Sequence, residues 1–187
     1  MDELRIHPWP HLLLDDFLAG DILARSLSEI DRHDCNYEIE ARGSGRIEFS
    51  LLKSETLWRA IYSKRTVSLL ESRFAAKVRL NKQNYVQLRR MNDDTPDFPI
   101  HNDFVAGVET IATFLYISPG WSDARGGRLN LFESEAQYIP SQSIEPIQNR
   151  LVAFRTKSSH WHSVERVHGW ERLSVLALWD VKETGDQ

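Results

Sequence analysis

The chain has 187 residues, of which 41% are hydrophobic and 27% charged, and its formal net charge is −4. These values are typical of a globular protein, and the length predicts one domain spanning residues 1–187. The charge balance argues against a nucleic-acid-binding protein, and no apolar run approaches the roughly 18 residues that span a bilayer. The single cysteine, Cys35, excludes an internal disulfide. Together these features predict a soluble protein of the reducing cytoplasm.

The first 78 residues are predicted to be mainly helical. Residues 11–18 form an apolar run that is typical of a short buried strand. Asp21 is a suitable N-cap for a helix that ends near Asp31. A longer helix is expected from Ser54 to Val78, because apolar residues recur on one face and no proline interrupts them. Residues 1–80 are therefore predicted to form a helical buttress.

After residue 80 the apolar pattern changes to the two-residue alternation of half-buried strands. Proline, glycine, asparagine and aspartate cluster between the candidate strands, which is typical of a β-sandwich or barrel. Residues 81–181 are thus predicted to form a mainly β core, which makes the fold class α+β. The candidate strands are Tyr85–Met91, Ile111–Ile117, Arg128–Phe132, Leu151–Phe154, His160–Val164 and Arg172–Trp179.

A histidine and an aspartate stand two residues apart in the segment Pro99–Phe104. Because side chains alternate along an extended segment, His101 and Asp103 are expected to point to the same side. An imidazole and a carboxylate that converge supply two ligands of a two-histidine, one-carboxylate site, which leaves positions open on Fe(II). The pair is also compatible with a surface loop, since the preceding residues 92–97 are polar and rich in aspartate.

Further short motifs accompany this pair in a fixed order. They are Gln87-Leu88-Arg89, His101-x-Asp103, Thr113–Ile117, Gly126–Leu129, Arg150–Phe154, His162-Ser163-Val164 and Arg172-Leu173-Ser174. Together they make the stretch from Gln87 to Trp179 resemble the 2-oxoglutarate/Fe(II) dioxygenase superfamily, particularly its prolyl-4-hydroxylase-like branch. The resemblance implies a double-stranded β-helix, a jelly-roll or cupin-like core, buttressed by the N-terminal helices.

The resemblance also implies the metal ligands. His101 and Asp103 match the first two ligands of the family. The third ligand in the family is a histidine in a His-x-Val element shortly before an arginine. His162 meets both conditions, whereas His160 lacks the valine and His168 lies too close to the arginine. His160 is expected to be a partly exposed residue at a strand end.

A co-substrate site follows from the same resemblance. Arg172 stands where the family has the arginine that binds the free carboxylate of 2-oxoglutarate, and its fork can make two parallel bonds to that group. Ser174 lies two residues on and faces the same side. Thr113 and Tyr116 are on a strand that lines this pocket in the family, but their parity differs, so a regular strand points only one of them inward. Met91 replaces a tyrosine that contacts the co-substrate in many relatives.

The function implied by the resemblance is that of an oxygenase. Such an enzyme uses Fe(II), 2-oxoglutarate and O₂, with ascorbate as a possible addition, to hydroxylate an unactivated C–H bond and release succinate and CO₂. Asp103 favours hydroxylation over halogenation, because family halogenases carry a small residue there. The leading substrate is a prolyl residue of a peptide or protein, and a free amino acid or a small natural product is the alternative. A zinc hydrolase with the same ligands and a non-catalytic metal-binding jelly-roll module are the competing classes.

Two sets of residues have two interpretations each. Three tryptophans serve either as packing or as substrate contacts, and three arginines are either solvated or bind an anionic substrate. These residues are Trp121, Trp161 and Trp170, and Arg89, Arg90 and Arg128.

Overall fold

The computed structural model describes residues 2–32, 37–42, 45–81 and 86–182. Within these ranges the chain forms thirteen strands and three α-helices. In chain order they are β1 (Asp2–Arg5), β2 (His11–Leu14), α1 (Gly20–Asp31), β3 (Glu38–Arg42), β4 (Gly45–Leu52), α2 (Glu55–Ile61), α3 (Lys64–Phe74), β5 (Lys77–Leu80), β6 (Val86–Met91), β7 (Phe98–His101), β8 (Thr110–Tyr116), β9 (Leu129–Phe132), β10 (Gln142–Ile144), β11 (Leu151–Arg155), β12 (Trp161–Val164) and β13 (Arg172–Lys182).

The strands form two antiparallel sheets. The larger sheet has the order β1-β2-β11-β8-β13-β6-β4-β3, with β5 paired to the far end of β13. The smaller sheet has the order β10-β9-β12-β7. Two antiparallel sheets with an apolar interior between them are the arrangement of a jelly roll. The predicted mainly β fold with a double-stranded β-helix core is therefore confirmed.

Strand β8 shows how the larger sheet separates two cores. All seven of its residues are buried, and the alternation of the strand sends them to opposite faces. Ile111 and Leu115 belong to a core that also contains buried residues of the helices. Phe114 and Tyr116 belong to a second core, which includes Leu129 and other residues of the smaller sheet. The helices therefore cover one face of the sheet, and the other face is turned toward the interior of the jelly roll.

The segment from residue 54 to residue 78 is two helices and the start of a strand, so the prediction of one long helix is wrong. Ser54 is the N-cap of α2, as its predicted position implies, because its hydroxyl accepts a hydrogen bond from the Leu57 amide at 3.1 Å. Ser63 then caps a second helix by accepting from the Thr66 amide at 3.2 Å. A second serine cap ends the helical run without a proline, because it offers the backbone an alternative to the helical hydrogen bond.

Two other predictions for the N-terminal region need correction. Helix α1 begins at Gly20 and its N-cap is Ala19, so Asp21 lies in the first turn, where a carboxylate is favourable near the positive end of the helix dipole. Residues 1–80 contribute the predicted strand near residue 11 as β2, but also strands β1, β3, β4 and β5, to the larger sheet, so this region is less helical than expected. That residues 1–187 form a single domain stays a prediction.

The six strands predicted between residues 85 and 179 are all present, with small shifts at their ends, although Tyr85 itself lies outside the described residues. Strands β7 and β10 were not predicted as strands. Strand β7 contains Pro99 and is largely half-buried, and β10 has only three residues, so neither shows clear alternation. None of the described helices has the length and apolarity needed to cross a membrane.

Candidate metal and co-substrate site

Three side chains from two distant parts of the chain meet inside the jelly roll. His101 ends β7 and lies opposite His162 on β12 in the pairing of these strands. The possible ligand atoms of His101, Asp103 and His162 all lie within 4.8 Å of one another. One carboxylate oxygen of Asp103 is 3.8 Å from His101 Nε2, and the other is 3.4 Å from His162 Nε2. The register of the smaller sheet thus brings the two predicted histidine ligands together, and Asp103 joins them.

Asp103 reaches this group from beyond the end of the strand. His101 is the last residue of β7, so strand alternation alone does not place the carboxylate. Asn102 shapes the turn instead, because its side chain donates to the Ser158 carbonyl at 3.2 Å and accepts from the Phe104 amide at 3.2 Å. The prediction of an extended His-x-Asp segment is therefore correct only up to His101.

Backbone carbonyls orient both imidazoles. His101 Nδ1 lies 2.8 Å from the Pro99 carbonyl, and His162 Nδ1 lies 3.0 Å from the His160 carbonyl. A carbonyl can only accept a hydrogen bond, so each Nδ1 carries a hydrogen, and each Nε2 is the atom that would lose its proton and offer its lone pair to a metal ion. The two Nε2 atoms are also those that face Asp103.

The carboxylate of Asp103 is held in its ionised form. Burial acts to raise its pKa, but the hydrogen bond and charge of His162, followed by the charges of His101 and Arg89, outweigh burial. The pKa of Asp103 consequently lies well below its usual range. A metal ligand must be deprotonated, so this carboxylate needs no further activation at neutral pH.

Arg172 lies in a cavity that also touches the two histidines. It is only 5% exposed, and no described carboxylate lies within 4.0 Å of its guanidinium. Its Nε donates to the Gly127 carbonyl at 2.9 Å, and its Nη1 lies 3.4 Å from Ser174 Oγ. Burial lowers the pKa of Arg172, because the charged form loses its hydration. A buried charge is costly unless an opposite charge pairs with it, which makes Arg172 a candidate anion-binding residue.

Tyr116 adds an unsatisfied hydroxyl to the same cavity. The Arg172 guanidinium lies over its ring, with Cζ 4.9 Å from the ring centroid. The hydroxyl is buried and has no hydrogen-bond partner among the described groups. Burial raises the pKa of Tyr116, and the neighbouring Arg172 acts in the opposite direction. Of the predicted co-substrate residues, Arg172, Ser174 and Tyr116 therefore line one cavity together with Met91.

Thr113 lies on the other face of β8, which corrects its prediction as a co-substrate contact. Its hydroxyl donates to the Ala177 carbonyl at 3.0 Å and accepts from Trp179 Nε1 at 3.4 Å. Trp179 is part of the core on the helical side of the sheet. Side chains alternate between the two faces of a regular strand, so Thr113 and Tyr116, which are three residues apart, point to opposite faces.

The other histidines of the C-terminal region lie outside the ligand group. His160 is 6% exposed, so the expectation that it is partly exposed is wrong. Its ring stacks on Trp9 at a centroid distance of 4.5 Å, and its Nδ1 lies 2.6 Å from the Arg155 carbonyl. His168 is exposed in the turn before Gly169.

Two of the three candidate tryptophans donate hydrogen bonds to backbone carbonyls of loops. Trp121 Nε1 donates to the Gly126 carbonyl at 2.9 Å, and Trp170 Nε1 donates to the Pro119 carbonyl at 3.0 Å. These contacts hold the segment that carries Gly127, so both indoles serve the structure around Arg172. Trp161 is half-buried on β12.

The three candidate arginines differ in what they contact. Arg90 pairs with Glu48 at 2.8 Å, and Arg128 pairs with Asp123 at 2.8 Å. Arg89 instead lines both the Arg172 cavity and a larger cleft of about 670 Å³ that opens beside Asp103. Exposed apolar residues rim this cleft, and they are Phe104, Val105 and Val108.

Several groups of the site were not predicted because they are backbone atoms. The carbonyls of Pro99 and His160 orient the metal ligands, and the carbonyl of Gly127 orients Arg172. Every residue has a carbonyl, so residue type gives no signal for this role. For the Gly127 carbonyl, the sequence offered only the pair Gly126-Gly127, which indicates a special backbone conformation and not a contact with Arg172.

A jelly roll that gathers two histidines and one carboxylate beside a buried arginine has the groups that a metal-dependent protein with an anion site requires. The model of the 2OG-Fe(II) oxygenase superfamily matches residues 86–179, about half of the chain. The chain therefore belongs to the 2OG-Fe(II) oxygenase superfamily, and the predicted resemblance is confirmed.

Individual relatives add detail. The chain is 35% identical over 80 residues to the Mus musculus protein described as prolyl 3-hydroxylase OGFOD1, a match that covers 40% of this chain and 14% of that protein. The chain thus spans a small part of this curated relative. A Pseudomonas putida prolyl-4-hydroxylase structure aligns with a TM-score of 0.69 at 20% identity, covering 92% of each chain. A Trichoplax adhaerens prolyl hydroxylase, solved with a peptide fragment of hypoxia inducible factor, aligns with a TM-score of 0.68 at 15% identity over 95% of this chain and 87% of that chain. These two structures share the fold.

Proposed function

We propose that this protein is an Fe(II)- and 2-oxoglutarate-dependent oxygenase that hydroxylates an unactivated C–H bond and releases succinate and CO₂. One observation carries the proposal. The ligand atoms of His101, Asp103 and His162 lie within 4.8 Å of one another, and the two histidines line a cavity that also holds the buried Arg172. Superfamily membership gives the class of chemistry, and this geometry supports the proposal that these residues carry it.

The donor set fits Fe(II). Two imidazole nitrogens and one carboxylate on one side of a metal leave positions open for other ligands, which is the arrangement of non-haem iron oxygenases. Both Nε2 atoms are directed by hydrogen bonds on Nδ1, and Asp103 is ionised. When bound, iron and 2-oxoglutarate supply the O₂-dependent oxidation. The protein holds the reactants and excludes water from them.

Arg172 fits the far carboxylate of 2-oxoglutarate. Its guanidinium is buried and its Nε is already used by Gly127, so the Nη edge is the part that can bind a carboxylate. Ser174 Oγ and the unsatisfied hydroxyl of Tyr116 are the neutral donors in the same cavity. Bound 2-oxoglutarate would supply the anion that Arg172 lacks among the described residues and a partner for Tyr116.

Part of the wall between these polar ends is apolar. Phe98, Phe114, Leu129 and Val164 line the cavity that contacts the histidines and Arg172. Apolar walls keep water out and strengthen every electrostatic contact inside.

For the substrate, we propose a prolyl residue of a peptide or protein. The cleft beside Asp103 is open and has a volume of about 670 Å³, within the range of ligand-binding clefts. The curated relative is named as a prolyl 3-hydroxylase, and one structural relative was solved with a peptide. A free amino acid or small natural product is the alternative, since an epimerase of nogalamycin biosynthesis shares the fold with a TM-score of 0.68. A cytoplasmic location and a need for ascorbate are part of the same proposal and await their own tests.

The test is a screen for substrate-stimulated turnover. The protein is incubated with Fe(II), 2-oxoglutarate and O₂ in the presence of prolyl peptides, free amino acids or small metabolites, and succinate is counted against O₂ consumed. We expect one succinate per O₂, loss of turnover in His101→Ala and Asp103→Ala, and full turnover in His168→Ala, because that histidine is exposed away from the ligand group. Hydrolysis with Zn(II) and no succinate in any mixture would contradict the proposal.

A further inference from the structure

The geometry around Arg172 points to Gly127 as the residue that sets the direction of its guanidinium fork, a positioning residue for 2-oxoglutarate. This inference rests on the proposed function, because it concerns how that co-substrate is selected. The carbonyl of Gly127 accepts a hydrogen bond from Arg172 Nε at 2.9 Å, the only one that this atom makes among the described residues. The contact fixes one edge of the planar guanidinium, so the other edge has one direction in which to meet a carboxylate.

Gly127 cannot be replaced without moving Arg172. A Cβ at this position would lie 3.1 Å from Arg172 Cδ, 2.9 Å from Val167 Cγ1 and 3.5 Å from Trp170 Cζ3. Val167 is fully buried and stiff, and Arg172 is held at its far end, so neither neighbour yields easily. The backbone also has φ +73, which side-chain-bearing residues rarely adopt.

The position of the Gly127 carbonyl is itself secured. The Gly127 amide donates to the Arg166 carbonyl at 3.1 Å, and Gly126 forms a bridge with Val167. Trp121 donates to the Gly126 carbonyl from the opposite side. The acceptor for Arg172 is thus part of a short paired segment that is fastened at several points, which is what precise placement of a charged group requires.

Gly120 offers a matched control. Its φ is also +73, but a Cβ there would meet no atom within 4 Å. Gly120→Ala therefore places an alanine at the same positive φ as Gly127→Ala, without the contact to Arg172. The difference between the two variants isolates the effect of crowding the arginine.

Binding of two keto acids to the Mn(II)-loaded protein, measured by calorimetry, tests the inference without turnover. 2-Oxoglutarate and pyruvate share the keto-acid end, but only 2-oxoglutarate has the second carboxylate that Arg172 would bind. We expect Gly127→Ala to lower the ratio of 2-oxoglutarate to pyruvate affinity by about tenfold or more, which corresponds to about 1.4 kcal/mol. Gly120→Ala should leave the ratio unchanged, and Mn(II) affinity should be unchanged in both variants.

An unchanged ratio in a folded Gly127→Ala would overturn the inference. Should that variant fail to fold, Gly127→Ala combined with Val167→Ala removes the 2.9 Å clash and keeps the 3.1 Å contact with Arg172 Cδ, so the same ratio decides the question. A wild-type protein with no preference for 2-oxoglutarate over pyruvate would instead refute the proposed co-substrate site, and the inference with it.

Discussion

Replacing Arg172 by methionine should stabilise the ligand-free protein and abolish its response to 2-oxoglutarate. The guanidinium is 5% exposed, and burial lowers its pKa. A buried charge without its partner costs about 3–5 kcal/mol, whereas loss of the bond to the Gly127 carbonyl costs about 1–3 kcal/mol. Methionine fills a similar space without charge, so we expect the free energy of unfolding to rise by about 2 kcal/mol.

These values translate into melting temperatures. For a domain of this size, about 1 kcal/mol shifts Tm by about 2–4 °C, so Arg172→Met should melt about 4–8 °C higher than the wild-type protein. Wild-type protein at 2-oxoglutarate one hundredfold above its Kd should gain about 2.7 kcal/mol of stability, and the variant should gain none.

Thermal denaturation of Mn(II)-loaded protein with and without 2-oxoglutarate measures both effects. Arg150→Met is the matched control, because Arg150 is largely buried but pairs with Asp15 at 2.5 Å and with Glu145 at 2.9 Å. This control should lose stability and keep the response to 2-oxoglutarate. If Arg172→Met melts as low as the control and still responds to the ligand, Arg172 is neither an uncompensated charge nor the anion site.

Three further changes test separate features. Asp103→Asn keeps the shape of the ligand but removes its charge, so calorimetry should show a loss of metal affinity of about a hundredfold or more, and an unchanged titration would contradict the metal site. Thr113→Val should leave the Kd for 2-oxoglutarate unchanged and lower the free energy of unfolding by about 1 kcal/mol, because its hydroxyl bonds to the Ala177 carbonyl on the other face of the sheet. A weaker Kd would restore Thr113 to the co-substrate site. Burial lowers the pKa of His11 below 6.5, so the unfolded chain binds a proton that the folded chain does not, and stability should fall below about pH 6.5 by up to about 1.4 kcal/mol per pH unit. His11→Phe should flatten this slope in urea denaturation at pH 7 and 5, and an identical slope would show that His11 does not titrate in this way.

Residue identity predicted the chemistry of the site better than its placement. His101, Asp103 and His162 could be named from motifs, but only the pairing of β7 with β12 brings the two histidines together. Side chains alternate along a strand, so Thr113 and Tyr116 were expected to point to opposite faces of β8. Because both faces of this strand are buried, the sequence did not indicate which of the two faces the jelly-roll interior. Local periodicity indicates which segments form strands but not which strands pair, so the placement of these side chains could not be predicted from it.

The N-terminal region was harder to predict for a related reason. Strands β1, β3 and β5 are edge or peripheral strands that pair with one neighbour or with the end of another strand, so they show little alternation between buried and exposed residues. The break between α2 and α3 depends on a hydrogen bond from the Thr66 amide to Ser63, one of several serines that could have served as a cap. Local signals of this kind become specific only when tertiary packing selects among them.

Strand β13 relates the two binding regions of the proposed enzyme. Its alternate residues Arg172 and Ser174 line the cavity that the two histidines also line, and Leu176, Leu178 and Asp180 line the cleft beside Asp103. A strand rises about 3.3 Å per residue, so the step from Arg172 to Leu176 spans about 13 Å. One rigid strand therefore fixes the separation between the cation that would hold 2-oxoglutarate and the surface that would receive the substrate. Because β6 and β8 flank β13 over this length, a change of substrate requires different side chains on the cleft side and leaves the co-substrate end in place.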